Sequence, residues 1–379
     1  MGPKPDIATL AAPGVRGLQP YVPGKPTTEL EREYGISDVV KLASNENPLG
    51  PPAESLAAVR TALPGISQYP DGSAFELKRG LSAHLGVDPE QVTVGNGSNE
   101  ILSIIAETFL GVGDEAIYSE YAFVVYGLAV QATGATARIA PANSAQGVQP
   151  LGHSLEAISA LVNERTRLVF VANPNNPTGT WLNPVELRTF VDALPSRVLI
   201  VVDEAYFEYM APGAAPDTLS WLGACPNLIV CRTFSKIYGL AGVRVGYAVS
   251  HPEIADLLNR VRQPFNVNGV GQLAALAALG AGHHVRRSRE VNEEGMAELR
   301  TGLTGFGWPV PPSAGNFILA DTGGPAGPWY EGLLRAGIIV RPVGNYGLPR
   351  HLRITVGLPD QNRRLLQALY DLRQGGLGQ

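Results

Sequence analysis

The sequence predicts an α/β protein with a large domain around a mostly parallel sheet and a smaller α/β domain. The main observation is a series of apolar runs of strand length, residues 168–172, 198–202 and 228–232, each followed by polar residues in a turn. A length of 379 residues is enough for one large and one smaller domain. The predicted division is residues 1–45 for an N-terminal arm and part of the small domain, 46–265 for the large domain and 266–379 for the small C-terminal domain.

The composition is that of an ordinary globular enzyme, with 45% hydrophobic and 17% charged residues. The formal net charge of -5 argues against a general binder of nucleic acid or anionic membranes. Cys225 and Cys231 are too few for a disulfide framework and are expected in the core. The amino terminus lacks a signal-peptide pattern and no apolar run reaches the length of a membrane span, so we expect a cytoplasmic protein.

Helix and strand patterns follow one another along the chain. Apolar residues at helical spacing predict helices, and short apolar runs between turn residues predict strands. Residues 1–16 are rich in proline, glycine and alanine and are predicted to form a loose arm. The predicted helices are 27–34, 52–63, 75–85, 101–110, 269–281 and 283–303, and the predicted strands are 39–43, 91–94, 115–118, 168–172, 198–202, 228–232, 316–320, 338–341 and 352–356.

The stretch 233–247 contains residue types that bind an aldehyde and a phosphate. Lys236 follows the predicted strand 228–232, at the edge where α/β sheets bind ligands. A lysine amine in a partly dry pocket loses its proton more easily and forms Schiff bases with aldehydes. Ser235 and Arg244 supply a hydroxyl and a guanidinium for a phosphate. A lone lysine after a strand is usually exposed, but these neighbours favour a site for pyridoxal phosphate.

The spacing Ser-Lys-x-x-Gly-Leu-Ala-Gly-x-Arg-x-Gly-Tyr at residues 235–247 resembles the lysine motif of fold-type I pyridoxal-phosphate-dependent aminotransferases. From about Gly17 to Pro359 the chain is similar to the histidinol-phosphate aminotransferase family, whose motifs occur here in the same order. The resemblance implies the fold-type I architecture, pyridoxal 5'-phosphate held by Lys236, and a homodimer. The implied reaction is transamination between L-histidinol phosphate and 2-oxoglutarate, giving imidazole acetol phosphate and glutamate in histidine biosynthesis.

A glycine-containing turn after the predicted strand 91–94 opens a helix. Glycines before a helix N-terminus leave backbone N–H groups facing an anion, and the helix dipole favours negative charge there. Such a turn alone is more often a simple helix cap, and the resemblance adds the cofactor phosphate as its ligand. The candidate phosphate-binding residues are Gly97, Ser98 and Asn99.

Two further strand ends supply polar groups for the cofactor ring. Asp203 follows the strand 198–202, and a buried acid is costly unless it is paired. A protonated pyridine nitrogen is a partner that also keeps the ring an electron sink, whereas a lone aspartate at a strand end more often caps a turn. Tyr206 is placed for the phenolic oxygen of the cofactor, and the resemblance implies that the Asn176 amide donates to the same oxygen.

An aromatic side chain is expected to stack on the pyridine ring. The segment 120–126 contains three aromatic residues. When this segment is aligned with the family on Tyr126, the stacking position falls on Phe123 and not on Tyr121. Either ring would offer the same stacking area, so Tyr121 stays an alternative.

The resemblance implies three contacts near the mouth of the site. Tyr21, in the proline-rich segment 18–25, would approach the substrate, or it would pack as an aromatic residue of the arm. Asn45, in the turn 44–50, would contact the substrate. Tyr69, otherwise a turn aromatic, would cross the dimer interface to the cofactor phosphate of the other subunit.

His283 and His284 are adjacent in the predicted helix 283–303, which is charged and amphipathic. Adjacent histidines suggest a metal site, but no carboxylate or cysteine lies at ligand spacing from them. Residues on the polar face of such a helix are usually solvated. We therefore expect exposed histidines and no metal.

Two arginines lie on predicted neighbouring strands of the small domain. The resemblance implies that Arg353 clamps the substrate α-carboxylate by a bidentate pair. It also implies that Arg341 meets the substrate phosphate, and the alternative for Arg341 is a structural ion pair. Two arginines would let one pocket accept both a phosphate monoester and a dicarboxylate.

Three other functions are compatible with much of this pattern. A pyridoxal-phosphate transcription regulator would need a basic DNA-binding domain ahead of residue 40, which the short arm is not expected to supply. A phospho-amino-acid decarboxylase would release carbon dioxide instead of forming an oxo acid. An aminotransferase for phenylalanine or tyrosine, or an enzyme of dual specificity, would share almost every residue named above.

Overall fold

The computed structural model describes residues 6–21, 23–146 and 149–378. The first five residues of the predicted arm, and Val22 of the proline-rich segment, lie outside the described residues. The rest of the arm is more ordered than predicted. It contains a short 3-10 helix, Ile7–Leu10, capped by Asp6, and one turn of α-helix, Pro13–Arg16 (α1).

Helices and strands alternate through most of the chain, as the apolar patterns predict. Local signals set several of their ends: Gly35 and Gly86 have positive φ and end the second and fourth helices, and Asn183 caps the eighth. The other helices are α2 (Thr27–Tyr34), α3 (Ala53–Ala62), α4 (Phe75–Leu85), α5 (Ser98–Phe109), α6 (Val124–Ala132), α7 (Leu155–Ala160), α8 (Pro184–Ala193), α9 (Pro252–Val261), α10 (Gly269–Leu279), α11 (Gly282–Gly305), α12 (Gly327–Arg335) and α13 (Pro359–Gln374). The strands are β1 (Val40–Lys41), β2 (Val92–Gly95), β3 (Glu115–Ser119), β4 (Thr136–Ala140), β5 (Thr166–Ala172), β6 (Leu199–Asp203), β7 (Leu228–Thr233), β8 (Gly246–Ser250), β9 (Phe317–Asp321), β10 (Ile338–Ile339), β11 (Arg341–Val343) and β12 (Leu348–Thr355).

Within the described residues, a seven-stranded sheet has the order β2–β8–β7–β6–β5–β3–β4. Strand β8 is antiparallel to both of its neighbours, and the pairs from β7 to β4 are parallel. The predicted mostly parallel sheet is therefore confirmed. Side chains of β5, β6 and β7 alternate between two apolar cores, one on each face of the sheet. Because both faces are covered, these strands are continuous apolar runs.

Residues from both ends of the chain build a second, smaller layer. Strand β1 pairs in parallel with β10, and β11, β12 and β9 form an antiparallel sheet. Helices α11, α12 and α13 pack on this layer around Leu299, Leu333 and Leu365. The predicted strand 338–341 is two short strands, because the chain leaves β1 after Ile339 and then pairs with β12.

The packing of α10 bears on where the large domain ends. This helix lies beyond the predicted boundary at residue 265, yet Ala274, Ala275 and Ala278 pack in a core of the seven-stranded sheet. Helix α10 lies against α3 and α4. The division of the chain into three parts stays a prediction.

The predictions of which cysteines and histidines are buried are partly confirmed by the structure. Cys225 and Cys231 are free and buried, as expected. The prediction of two exposed histidines is wrong for His284, which is 9% exposed because it packs under the 44–50 turn, with its Nε2 3.4 Å from Asn47 Nδ2.

Among the described residues no cluster of His, Cys, Asp and Glu side chains is arranged to hold a metal ion. None of the helices in this part of the chain combines the length and the apolarity that a membrane crossing requires.

Candidate active site

A cavity opens at the carboxyl ends of β5, β6 and β7, bounded on its other side by the three-stranded sheet. This is the place where α/β sheets bind ligands. Side chains from the N-terminal turns, the start of α5, the strand ends, and β11 and β12 converge there. The predicted site residues that line the cavity are Tyr21, Asn45, Ser98, Asn99, Phe123, Asn176, Asp203, Tyr206, Ser235, Lys236, Arg244, Arg341 and Arg353.

Lys236 lies three residues beyond Thr233, the last residue of β7, and is half-buried in the cavity wall. Its Nζ donates to the Ser44 carbonyl oxygen at 3.2 Å and lies 5.6 Å from the centre of the Tyr206 ring. Burial lowers the pKa of the Lys236 amine to about 8, and the positive charge of Arg353 acts in the same direction. A lysine with this pKa has about a tenth of its amine in the neutral, nucleophilic form at pH 7, far more than an ordinary lysine.

The pKa of Lys236 predicts how its amine would react with an aldehyde at different pH values. Only the neutral amine attacks, and its fraction rises from about one-tenth at pH 7 to about nine-tenths at pH 9 for a pKa of about 8. We therefore expect the rate constant for pyridoxal phosphate capture to rise with a midpoint near pH 8, measured by stopped-flow absorbance. A midpoint near 10.5, the ordinary value for lysine, would show that the amine is not desolvated.

Asp203 ends β6 and is 5% exposed. Its Oδ2 accepts a hydrogen bond of 2.8 Å from the Tyr126 hydroxyl, whereas Oδ1 has no partner among the described residues. Burial raises the pKa of the Asp203 carboxyl to about 6, and the bond from Tyr126 acts against this rise. A carboxylate with one unused buried oxygen fits a protonated ring nitrogen, which would supply both a donor and a positive charge.

Tyr126 is a site residue that the sequence analysis did not identify. It is fully buried, its ring stacks on Phe170 at 4.9 Å, and it meets Phe123 edge-on at 6.0 Å. The packed ring aims the hydroxyl at Asp203. The sequence signal was the spacing of Phe123 and Tyr126, three residues apart at the start of α6, which places both on one side of a helix.

The start of α5 and the loop after β7 form a closely packed cradle. Gly97 has φ +80°, and a Cβ there would lie 2.4 Å from Nη2 of Arg244. A Cβ on Gly246 would lie 2.3 Å from the Ser98 backbone nitrogen. The Arg244 Nη1 donates to Ser235 Oγ at 3.3 Å. A guanidinium, a hydroxyl and the N-terminus of a twelve-residue helix thus meet at one point, which suits a phosphate.

The polar residues near the mouth hold one another in place. Asn176 Oδ1 accepts from Arg353 Nη1 at 2.6 Å, which leaves the amide of Asn176 to donate elsewhere. Asn45 Nδ2 donates to the Tyr206 hydroxyl at 2.8 Å. Thr355, another residue that the sequence analysis missed, accepts from the Asn45 backbone N–H at 2.9 Å and donates to its Oδ1 at 3.1 Å. Asn45 is therefore hydrogen-bonded to Thr355 of β12, and from this fixed position it orients the Tyr206 hydroxyl.

The two predicted arginines are directly opposite each other in the small sheet. Arg341 on β11 is the register partner of Arg353 on β12, and both line the cavity. Arg353 is 7% exposed, its Nη2 donates to the Ala43 carbonyl oxygen at 2.5 Å, and its Nε has no partner among the described residues. Burial lowers the pKa of Arg353. The Arg341 guanidinium lies 5.8 Å from the centre of the Tyr21 ring. Like charges opposite each other are unfavourable in a sheet, so this pair favours a bound anion.

The structure separates the two candidates for ring stacking. Phe123 lines the cavity, at the first turn of α6. Tyr121 lies outside the cavity lining and packs instead with Leu319, Val343 and Leu348. This arrangement favours Phe123.

Tyr69 lies outside the cavity lining of its own chain. Its side chain is 83% exposed and its ring stacks on Phe265 at 4.8 Å and 25°. Gly97, the other predicted residue that does not line the cavity, adjoins it through Arg244. A large exposed aromatic pair on a folded surface is a feature of protein contact sites.

The fold and the cavity together define a pyridoxal-phosphate-dependent aminotransferase of fold-type I. A desolvated lysine, a buried aspartate with a free oxygen, and a phosphate cradle fit the aldehyde, ring nitrogen and phosphate of that cofactor.

Comparisons with known proteins agree with this class. The family model described as aminotransferase class I and II matches residues 37–369. Histidinol-phosphate aminotransferase 2 of Methylococcus capsulatus is 55% identical over 94% of this chain and 96% of its own length. Histidinol-phosphate aminotransferase 1 of Nitrosococcus oceani is 51% identical over 95% of this chain and 96% of its own. The crystal structure of histidinol-phosphate aminotransferase from Sinorhizobium meliloti in complex with pyridoxal-5'-phosphate matches with a TM-score of 0.88 and 30% identity, covering 96% of this chain and 97% of that one.

The chain belongs to the class I and II aminotransferases and, among them, to the histidinol-phosphate aminotransferase family. Its cofactor is pyridoxal 5'-phosphate.

Proposed function

We propose that this enzyme transfers an amino group between L-histidinol phosphate and 2-oxoglutarate, giving imidazole acetol phosphate and glutamate, in histidine biosynthesis. The observation that carries the proposal is the pair Arg341 and Arg353, directly opposite in register and both at the cavity. Two adjacent guanidinium groups suit substrates that carry a phosphate in one half-reaction and two carboxylates in the other. Relatives at 55% and 51% identity carry the name of this activity.

Lys236 has two roles in the proposal. When bound, pyridoxal phosphate supplies an aldehyde that links covalently to amines and a ring that withdraws electrons from the substrate α-carbon. The neutral Nζ of Lys236 holds the aldehyde before substrate arrives. Once substrate has taken its place, the freed Nζ removes the proton from the substrate α-carbon. Its lowered pKa of about 8 leaves about half of this amine neutral at pH 8.

The other cofactor contacts follow from the positions of the side chains. Asp203 would pair with the protonated ring nitrogen through its free Oδ1, with Tyr126 fixing the carboxylate. Asn176 and Tyr206 would donate to the phenolic oxygen, and Phe123 would stack on the ring. The phosphate would be bound by Gly97, Ser98, Asn99, Ser235 and Arg244.

Substrate would enter between Tyr21 and Asn45. Arg353 would clamp the α-carboxylate of glutamate, because its Nη1 is already oriented by Asn176 and its Nε is unused among the described residues. Histidinol phosphate has no α-carboxylate. Arg341 would therefore bind the phosphate of that substrate, beside the ring of Tyr21.

A comparison of kcat/KM for L-histidinol phosphate and L-phenylalanine, with 2-oxoglutarate as acceptor, tests the substrate. We expect a clear preference for histidinol phosphate. An equal or greater kcat/KM for phenylalanine would assign the enzyme to the aromatic aminotransferases, which share the same lysine and arginine residues. Carbon dioxide release without an oxo product would indicate a decarboxylase instead.

We also propose a cytoplasmic homodimer in which Tyr69 reaches the cofactor phosphate of the partner. The support is the exposed pair of Tyr69 and Phe265 and the arginine-lined cradle that would receive it. If the site needs a second subunit, specific activity falls when the protein is diluted below its dimer dissociation constant. Sedimentation velocity and activity measured over one dilution series should fall together. A dilute monomer with full activity would remove the role of Tyr69.

A further inference from the structure

A chain of hydrogen bonds outside the cavity joins the loop before α5 to the exposed turn that carries Tyr69. The Asn96 backbone N–H donates to Glu100 Oε2 at 2.6 Å. Asn266 Nδ2 donates to the same oxygen at 2.5 Å, and Asn266 Oδ1 accepts from Arg262 Nη1 at 2.6 Å. Arg262 Nη2 then donates to the Gly72 carbonyl oxygen at 2.8 Å. We call Glu100, Asn266 and Arg262 the strut.

The segment 262–266, which contains the strut residues Arg262 and Asn266, has an unusual backbone. Phe265 has φ +59°, a region that residues with a side chain rarely adopt. Such a conformation persists only where the surroundings fix it. Here the flanking side chains do so: Arg262 Nε donates to Asn259 Oδ1 at 3.1 Å, and Asn266 Nδ2 also lies 3.3 Å from the Val94 carbonyl oxygen. Nothing in the reaction proposed above uses this arrangement.

The other end of the strut meets the phosphate cradle. The loop 95–97 is tight, since the Gly97 N–H donates to the Gly95 carbonyl oxygen at 2.8 Å and Arg244 packs against Gly97. The Asn96 N–H held by Glu100 lies inside this loop. The direction of this N–H determines the orientation of the Asn96 peptide. That peptide leads into the N–H groups at the start of α5, where an anion is favoured.

We propose that Glu100, Asn266 and Arg262 are positioning residues for the phosphate-binding loop 95–99. They touch neither substrate nor the reacting atoms. They fix the backbone donors of their own chain in the conformation that receives the cofactor phosphate. The inference rests on the pyridoxal phosphate site and not on the identity of the amino substrate, so its failure and a failure of the histidinol phosphate assignment are distinguishable.

The test uses a cofactor with and without its phosphate. Apoenzyme is titrated with pyridoxal phosphate and with pyridoxal, both followed by visible absorbance. For Asn266→Ala and Glu100→Ala we expect the dissociation constant of pyridoxal phosphate to rise about tenfold or more, because a bond to a charged group is lost. The dissociation constant of pyridoxal should change less than about twofold. Glu100→Gln, which keeps an acceptor for Asn96, should restore most of the affinity.

Two further variants separate this role from general destabilisation and from Tyr69. Asn183→Ala removes an amide oxygen that accepts from the Val185 and Glu186 backbone N–H groups at the start of α8. This variant should have a lower Tm and unchanged dissociation constants for both cofactors. In a Tyr69→Phe background the phosphate-specific loss of Asn266→Ala should persist, because the strut acts on its own loop. Equal losses for pyridoxal phosphate and pyridoxal, no loss for either, or disappearance of the effect in the Tyr69→Phe background would each overturn the proposal.

Discussion

Replacing Lys236 by alanine is expected to abolish measurable turnover while the fold stays intact. In the proposed mechanism, the variant loses both the amine that holds the cofactor aldehyde and the base that moves the substrate α-proton. A positioned general base alone contributes roughly a hundred- to ten-thousandfold, so a loss on the order of ten-thousandfold or more in kcat is expected. The visible absorbance of the lysine-bound cofactor should also disappear. Steady-state assays and absorbance spectra of the purified variant measure the two effects.

Lys78→Ala is a matched control for this variant. Lys78 is also half-buried, and burial lowers its pKa as it does for Lys236. It lies outside the cavity lining. The control should therefore keep its visible absorbance and at least a large part of its turnover. Thermal unfolding of both variants checks the fold. Near wild-type turnover by Lys236→Ala would falsify the assignment of the catalytic lysine.

The central strands were predictable because burial on both faces leaves a simple signal. The bounds of strands β5, β6 and β7 each lie within two residues of the predicted bounds. Their side chains pack alternately into two cores and are almost all apolar, which gives a clear sequence signal. Helix α6 was not predicted, because its sequence is apolar almost all round and short apolar runs fit a strand or a buried helix equally well. Strand β4 lies at the sheet edge with mixed burial, so its pattern is weak.

Some residues of the site have a local sequence signal, whereas others are brought together only by tertiary packing. The lysine motif and the polar turns after the strands carry their own sequence signals, and the structure brings them to one cavity. The bond from Tyr126 to Asp203 joins residues 77 positions apart, and Asn45 meets Thr355 across 310 positions. No local pattern encodes such pairs, since they depend on how the sheet and the small layer are packed. The neighbouring strands of Arg341 and Arg353 were predictable, but their direct register was not.

Replacing Arg341 by alanine is expected to reduce kcat/KM for histidinol phosphate by roughly ten- to a hundredfold, because a charge-assisted contact with a phosphate is worth about 1.5–3 kcal/mol. Phenylalanine carries no phosphate, and its kcat/KM should fall much less. Inhibition by inorganic phosphate should weaken in parallel with the loss for histidinol phosphate. The measurement is a set of steady-state assays on both substrates for the wild-type enzyme and the variant.

Arg350→Ala provides the control on the same sheet. Arg350 lies on β12 and forms a surface ion pair with Asp321 at 2.9 Å, outside the cavity lining. Its removal takes away one positive charge from the small layer without touching the proposed phosphate contact, so both substrates should keep their kcat/KM within about twofold, as is usual for an exposed pair. Equal losses on histidinol phosphate and phenylalanine in Arg341→Ala would leave Arg341 as a structural residue. The carboxylate clamp at Arg353 would then be the main anion contact, and an aromatic amino acid would become the better candidate substrate.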